Sequence, residues 1–292
     1  MTNNIYGALF MTLSMLSYAA NDVLMKYSGY SLPLFQSIFL RGIFVISFLT
    51  IIAYFRKELF ITVQKKQMKF ICLRVLGDIA ATICFLTALF NMKIANATAI
   101  LQSLPLAITL VAALFLKEKV GWRRWSAIIV GFIGMLIIIR PTSSGFSIYS
   151  IIALLSVAFI VLRDLSTRQL SSKIPSVFVA LMTSIGVAIS GLIFMPFEIW
   201  LSPSTQQVLI LCYAACFLVF GILFSVMCMR IGEVGFVSPF RYSILLVAIV
   251  FGIFFFNEYP DNYTIIGSGI IILTGLYTLY RENIHKTKND RK

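Results

Sequence analysis

The sequence predicts an all-α integral membrane protein: ten transmembrane helices arranged as two inverted five-helix repeats, both termini cytoplasmic. Three observations predict it: the composition, the number of apolar runs, and the return of the same landmarks in the second half. Of the 292 residues, 60% are apolar and 12% charged, more apolar surface than a soluble core of this length encloses. A helix crossing lipid needs about 20 largely apolar residues. Ten such runs follow one another, at about 5–27, 33–55, 70–92, 95–116, 123–140, 145–165, 176–197, 207–230, 234–256 and 262–281. The organisation is then a first repeat over 1–142, a second over 143–282 and a basic cytoplasmic tail over 283–292.

The first run is polar at its far end (Asn21, Asp22, Lys26) and has no basic segment before it, so it reads as a retained helix rather than a removable signal. Placing the N-terminus in the cytoplasm gathers the basic residues on one side. Arg56, Lys57, Lys65, Lys66, Lys69, Lys117, Lys119, Arg123, Arg124, Arg168, Lys173, Arg230 and the basic tail fall inside, against Lys26, Lys93 and Arg140 outside. That is the positive-inside pattern. The formal charge of +13 is therefore a matter of topology and anionic lipid, not of nucleic acid. Cys72, Cys84, Cys212, Cys216 and Cys228 lie within apolar runs without metal or redox spacing and read as buried small hydrophobes.

The halves repeat. Asn21-Asp22 with Lys26 lies over Arg163-Asp164 with Arg168, and Pro33 over Pro175, both at an offset of 142. Met92-Lys93-Ile94 lies over Met229-Arg230-Ile231 at 137, and Phe115 with Glu118 over Phe255 with Glu258 at 140. Landmarks recurring in order mark internal duplication. Five runs per half force the second copy to enter from the opposite side. Inverted repeats are the mark of alternating-access carriers, whose sites lie near the midplane between the repeats.

Several short runs resemble the drug/metabolite transporter superfamily, in its EamA-type branch. They are Phe39-Leu40-Arg41-Gly42, Ala97-Thr98-Ala99 with Pro105, Phe115-Leu116-Lys117-Glu118-Lys119-Val120-Gly121-Trp122-Arg123-Arg124-Trp125, Arg163-Asp164-Leu165-Ser166-Thr167-Arg168, Val237-Ser238-Pro239-Phe240-Arg241-Tyr242 and Asn257-Glu258. The likeness covers nearly the whole chain. It implies ten helices, a carrier for a small molecule and no cofactor. Within the superfamily the Arg163–Arg168 run and the block from the third to the fifth run are most similar to a bacterial branch that includes S-adenosylmethionine uptake carriers.

A charge inside a span costs about 2.5–3.5 kcal/mol unless it is paired or wet, so each one asks for a reason. Asp22 with Lys26, and Asp164 with Arg168, are four residues apart and share a helix face. They are expected to form structural or gate pairs at opposite mouths. Arg74 and Asp78 have the same spacing without a counterpart in the second half. They read either as a self-satisfied pair or as a carboxylate that Arg74 holds until substrate competes for it. Arg41 and Arg241 have no acid at helical spacing; each is a site guanidinium, suited to a carboxylate, or a donor to carbonyls freed at a kink. Their repeat counterparts are Thr183 and Leu101. Counting Arg163, Lys26 and Arg168, six cations face Asp22, Asp78 and Asp164, an excess that favours a carboxylate-bearing, amino-acid-like substrate.

Asn21, Gln36, Asn91, Asn96, Gln102, Ser103, Tyr242 and Ser243 fit a wet cavity or ordinary interhelical bonding. Gln102 and Tyr242 are repeat counterparts, flanked by Pro105 and Pro239, which loosen the helix. Phe85, Phe240 and Tyr242 offer faces on which an adenine stacks. Gly131, Gly134, Gly267, Gly269 and Gly275 fall on the last helix of each half and let helices approach closely, within the chain or onto a second copy.

The function expected is secondary transport of a small polar metabolite across the bacterial inner membrane, carboxylate-bearing or S-adenosylmethionine-like, by a monomer or homodimer. No Gly-x-x-x-x-Gly-Lys-Ser/Thr loop is present, so a proton gradient or exchange, not ATP, drives it. The rival class is an intramembrane enzyme. The one histidine, His285, sits in the tail, which leaves histidine-dependent and most metal chemistry without its residues.

Overall fold

Lipid leaves a long apolar run only one local way to bond its own backbone, the helix, and every regular element among the described residues is helical. The computed structural model describes residues 2–59, 61, 63–115, 122–140, 147–171, 173–231 and 234–289. Glu118, with its neighbours Lys117 and Lys119, lies outside the described residues.

In the first half, α1 (Thr2–Ser28), α2 (Leu34–Phe55) and α3 (Lys65–Asn91) precede α4 (Ile94–Leu101), α5 (Leu104–Phe115) and α6 (Trp122–Ile139). In the second, α7 (Ile148–Arg168), α8 (Ser176–Phe194) and α9 (Thr205–Ile231) precede α10 (Val234–Val237), α11 (Ser243–Phe256) and α12 (Asn262–Asn289). Eight spans among the described residues are long and apolar enough to cross a membrane, two of them running from α4 into α5 and from Pro239 through α11. The apolar part of α6 is shorter, Trp125–Ile139. The described part of the expected tail continues α12 as helix to Asn289.

Proline sets the same punctuation in both halves. Pro33 and Pro175 hold φ at −58° and −62° immediately before α2 and α8, where an absent N–H is harmless. Pro105 and Pro239 mark the breaks. The α4–α5 segment is interrupted at Gln102–Ser103, and Ser238–Tyr242 tightens into a 3-10 turn between α10 and α11. At the corresponding seats Ser103 Oγ donates to the Ile100 carbonyl and Ser243 Oγ to the Phe240 carbonyl, both at 2.7 Å.

The helices pair across the halves: α1 with α9, α2 with α8, α3 with α7, α6 with α12. Small residues allow it. A Cβ on Gly134 would stand 3.0 Å from the Gly267 carbonyl oxygen, and one on Gly42 would stand 2.7 Å from Ala188 Cβ. The closing-helix glycines thus seat α6 on α12 within one chain. A Cβ on Gly269, by contrast, would meet nothing within 4 Å outside its own helix among the described residues. Cys72 is exposed and Cys228 buried, so the cysteines are not uniformly interior.

Candidate functional site

Helix pairing decides which charges meet. Gly77 lets α7 come so close to α3 that an added Cβ would lie 3.1 Å from the Arg163 backbone nitrogen. Arg163 consequently faces α3, and its guanidinium bonds Asp78 Oδ1 at 2.8 Å and Asp164 Oδ1 at 2.9 Å. Arg163, Asp78 and Asp164 remain 28%, 20% and 28% exposed, so the ion triad keeps uncovered surface between the middle of α3 and the last two turns of α7. Arg74 donates instead to Thr183 Oγ1 at 3.3 Å and to Thr167 Oγ1.

On the neighbouring wall, Asn21, Asp22 and Arg41 are all buried. Asn21 Nδ2 donates to Asp22 Oδ1 at 3.0 Å, and Arg41 donates to Asn21 Oδ1 at 3.3 Å. α1, which carries Asn21 and Asp22, packs on α3, which carries Asp78, and on the Ser238–Tyr242 turn, which carries Arg241, so the two walls adjoin. The broken segments touch beside them, where Gln102 Nε2 donates to the Arg241 carbonyl at 3.2 Å. Tyr242 is buried, and its hydroxyl has no hydrogen-bond partner among the described residues. That hydroxyl lies over Gly275, where a Cβ would approach it to 1.7 Å.

Three expected pairings give way. Arg74 does not pair with Asp78, because Arg163 arrives from α7 and takes the carboxylate. Asp164 does not pair with Arg168, since the adjacent Arg163 reaches it first; no ion pair of Arg168 is found among the described residues. Asp22 does not pair with Lys26. Lys26 leaves the cluster and meets Glu258 Oε1 at 2.7 Å together with the Met92 carbonyl. A same-helix pair contributes only about 0.2–0.5 kcal/mol, which a partner on a facing helix readily outweighs. The charge balance changes with it. Once Lys26 is neutralised by Glu258 and Arg168 is set aside as the last residue of α7, the four arginines within the spans (Arg41, Arg74, Arg163, Arg241) face three aspartates (Asp22, Asp78, Asp164).

Of the residues read as lining a wet cavity or as making ordinary interhelical bonds, several are fasteners between segments. Gln36 makes a reciprocal pair with the Leu201 backbone at 2.6 and 3.2 Å, and Thr264 donates to Asn96 at 2.9 Å. Asn91 bonds its own helix at the Thr87 carbonyl. Thr167 and Glu258 were not legible as partners of these charges. Thr183 carried one signal, its position one repeat from Arg41. Two crevices open away from the cluster. One is a small cavity of about 40 Å³ beside Arg56, Glu58 and Ser176; the other is a cleft of about 390 Å³ beside Tyr27, Tyr30, Gln206 and Gln207.

Cross-paired apolar helices enclosing a charged cluster define a multi-pass membrane protein. Residues 5–140 and 147–280 each match the EamA-like transporter family, and the chain belongs to that family. Among its relatives is the S-adenosylmethionine uptake transporter of Rickettsia conorii, 28% identical over 280 residues that cover 94% of this chain and 93% of that protein. The riboflavin transporter of Vibrio cholerae is 27% identical, covering 92% of this chain and 91% of that protein. The pseudopaline exporter CntI of Pseudomonas aeruginosa is 25% identical, covering 94% and 96%. A solved crystal structure aligns with a TM-score of 0.66 at 16% identity, covering 96% of this chain and 99% of the other, which shows a shared fold.

Proposed function

We propose that this chain is a secondary carrier for S-adenosylmethionine or a closely related adenosyl compound, working by alternating access between two inverted five-helix repeats in the bacterial inner membrane. The observation that carries the reading is the likeness, over 94% of this chain, to relatives named as S-adenosylmethionine uptake transporters. The cluster is chemically suited to such a cargo. S-Adenosylmethionine bears a sulfonium, an ammonium and a carboxylate; Asp78, Asp164 and Asp22 offer charge to the first two and Arg41 or Arg241 to the third. Phe240, partly exposed beside the break, offers a face to the adenine. Arg74 and Gln102 border the same space. Pro105 and Pro239 interrupt the paired segments at which a midplane site is expected.

A second reading is favoured by one observation: among the described residues Arg41 donates to an amide oxygen, Asn21 Oδ1 at 3.3 Å, and has no ion pair. A carboxylate-bearing, amino-acid-like metabolite without an adenosyl group would also bind there. The two separate in one experiment. Purified protein is melted with S-adenosylmethionine, adenosine, amino acids and dicarboxylates, each compound then being tested for uptake in proteoliposomes; a bound ligand raises the melting temperature with its saturation. Stabilisation and uptake confined to the adenosyl amino acid are expected. Stabilisation by simple carboxylates, with no response to adenosyl compounds, overturns the first reading in favour of the second.

A further inference from the structure

The end of the bundle that holds Lys26 is fastened by bonds that nearly all run from the first half of the chain to the second. Lys26 is 3% exposed and Glu258 16%. One Glu258 oxygen takes the Lys26 ammonium at 2.7 Å; the other accepts the Ile94 backbone N–H at 2.8 Å. Lys26 also donates to the Met92 carbonyl, which the end of α3 leaves free. A single ion pair therefore gathers the C-terminus of α1, the α3–α4 joint and the end of α11. The backbone aims it. Asn257 turns left-handed at φ 53°, and the Glu258 N–H closes back on the Gly252 carbonyl at 2.9 Å, a helix-ending turn that swings Glu258 towards Ile94.

Bonds around the pair follow the same rule. Lys93 donates to the Tyr259 carbonyl at 2.9 Å, Thr264 to Asn96, and Arg140 to Asp261. On the far side the Phe35 N–H reaches Glu198 at 2.8 Å. Beneath the pair, Met25, Ile94 and Ala97 are fully buried in an apolar cluster. Asn21 and Asp22 lie about one turn further along α1 from Lys26.

We propose that the Lys26–Glu258 pair is the latch of this mouth: it holds the mouth shut over the charged cluster and parts in the opposite state of the carrier. This rests on the alternating-access reading. A lysine–carboxylate pair suits a latch because its strength depends on dryness. In the closed mouth it is shielded; once water enters, each ion is solvated and their attraction falls several-fold. Pairing and closure reinforce each other, which gives two discrete states rather than gradual loosening. The positive-inside reading puts this mouth on the outer face.

The test uses the full chain with its five cysteines replaced by serine and one reporter, Ala97→Cys, in right-side-out vesicles exposed to a membrane-impermeant maleimide. Slow labelling is expected in this parent. Lys26→Met, which keeps the length of the side chain, and Glu258→Gln are each expected to label about tenfold faster. Lys26→Arg, which keeps the charge, is expected to stay at the parent rate and shows that packing alone is not responsible. Equal rates in the parent, Lys26→Met and Glu258→Gln overturn the latch, as does Lys26→Arg labelling as fast as Lys26→Met. A second reporter, Met227→Cys at the opposite mouth, tests the underlying reading separately. Its labelling from the other face is expected to slow as Ala97→Cys speeds up. If Ala97→Cys speeds up alone, the pair does hold this mouth shut but the two mouths are not coupled, and the alternating-access reading falls.

Discussion

Arg163 neutralises two carboxylates at once, so its removal is the sharpest perturbation of the cluster. Arg163→Gln strips Asp78 and Asp164 of their bonds at 2.8 and 2.9 Å. Breaking a fully buried ion pair from one side costs about 3–5 kcal/mol. Two facts reduce that figure. The three side chains are between 20% and 28% exposed, and Arg74 sits one turn from Asp78, free to exchange its threonine partners for the orphaned carboxylate. A net loss of about 2–3 kcal/mol remains, which at about 2–4 °C per kcal/mol lowers the melting temperature by roughly 4–12 °C. The assay is thermal unfolding in detergent, followed by tryptophan fluorescence, with Arg168→Gln as the control. The double variant Arg163→Gln/Asp78→Asn is expected to recover about 1–2 kcal/mol of the loss, because contacting charges are not additive. If Arg163→Gln melts with Arg168→Gln, or the double variant is simply the sum of its parts, the triad contributes nothing and the cluster has been misread.

Three further outcomes follow from the same geometry. Tyr242→Phe removes a buried hydroxyl that has no partner among the described residues, so stability is expected to hold or to rise by about 1–3 kcal/mol as the cost of burying the group is relieved; a lowered melting temperature would reveal a bond to the hydroxyl. Gly134→Val places side-chain atoms where Gly267 already stands 3.0 Å from a single Cβ, and is expected to cost about 1–3 kcal/mol by overpacking α6 on α12, read as a lowered melting temperature. Asp261 lies in the loop before α12. Partial burial raises its carboxyl, but the Thr264 amide and the Arg140 guanidinium outweigh that and hold it below the ordinary carboxylate range. A lowered value means stability present above the unfolded value, about 3.9, and lost as pH falls through the folded one. Asp261→Asn is therefore expected to destabilise at pH 7, and its melting curve to converge with that of the parent once the pH falls below the folded value.

What was legible in the sequence was whatever depends on local chain chemistry. Apolar runs gave the helices, and Pro33 and Pro175 gave the starts of α2 and α8. Pro105 and Pro239 gave the breaks, since a missing N–H acts on its own helix whatever surrounds it. The repeat offset also brought Gln102 and Tyr242 to one neighbourhood, and Gln102 does bond the carbonyl of Arg241. The charge pairs were not legible. Spacing of i to i+4 finds only partners on the same helix, whereas Arg163 meets Asp78 across α7 and α3, and Lys26 meets Glu258 across most of the chain. Gly77 is what decides the first of these, by admitting α7 to α3; a glycine in a span advertises close approach but not with whom.

The corrected pairings bear on the cargo. Six cations against three acids would favour plain anions; with Lys26 taken by Glu258 and Arg168 at the very end of α7, the four arginines within the spans nearly balance the three aspartates and favour a ligand that carries both signs. A charge series tests this directly. S-Adenosylmethionine and its thioether analogue share adenosine, ammonium and carboxylate, and differ by one methyl group and the sulfonium charge. If Asp78 and Asp164 receive that charge when Arg163 lets go, S-adenosylmethionine is expected to bind about tenfold tighter, about 1.4 kcal/mol, by titration calorimetry on the purified carrier. Asp78→Asn is expected to erase most of the difference while leaving the thioether's affinity close to its original value. A citrate-like tricarboxylate is expected to bind worse than either. Equal affinities for the sulfonium and the thioether would mean that the aspartates serve only Arg163, and a tricarboxylate binding best would restore the cationic site that the unpaired reading of these residues implied.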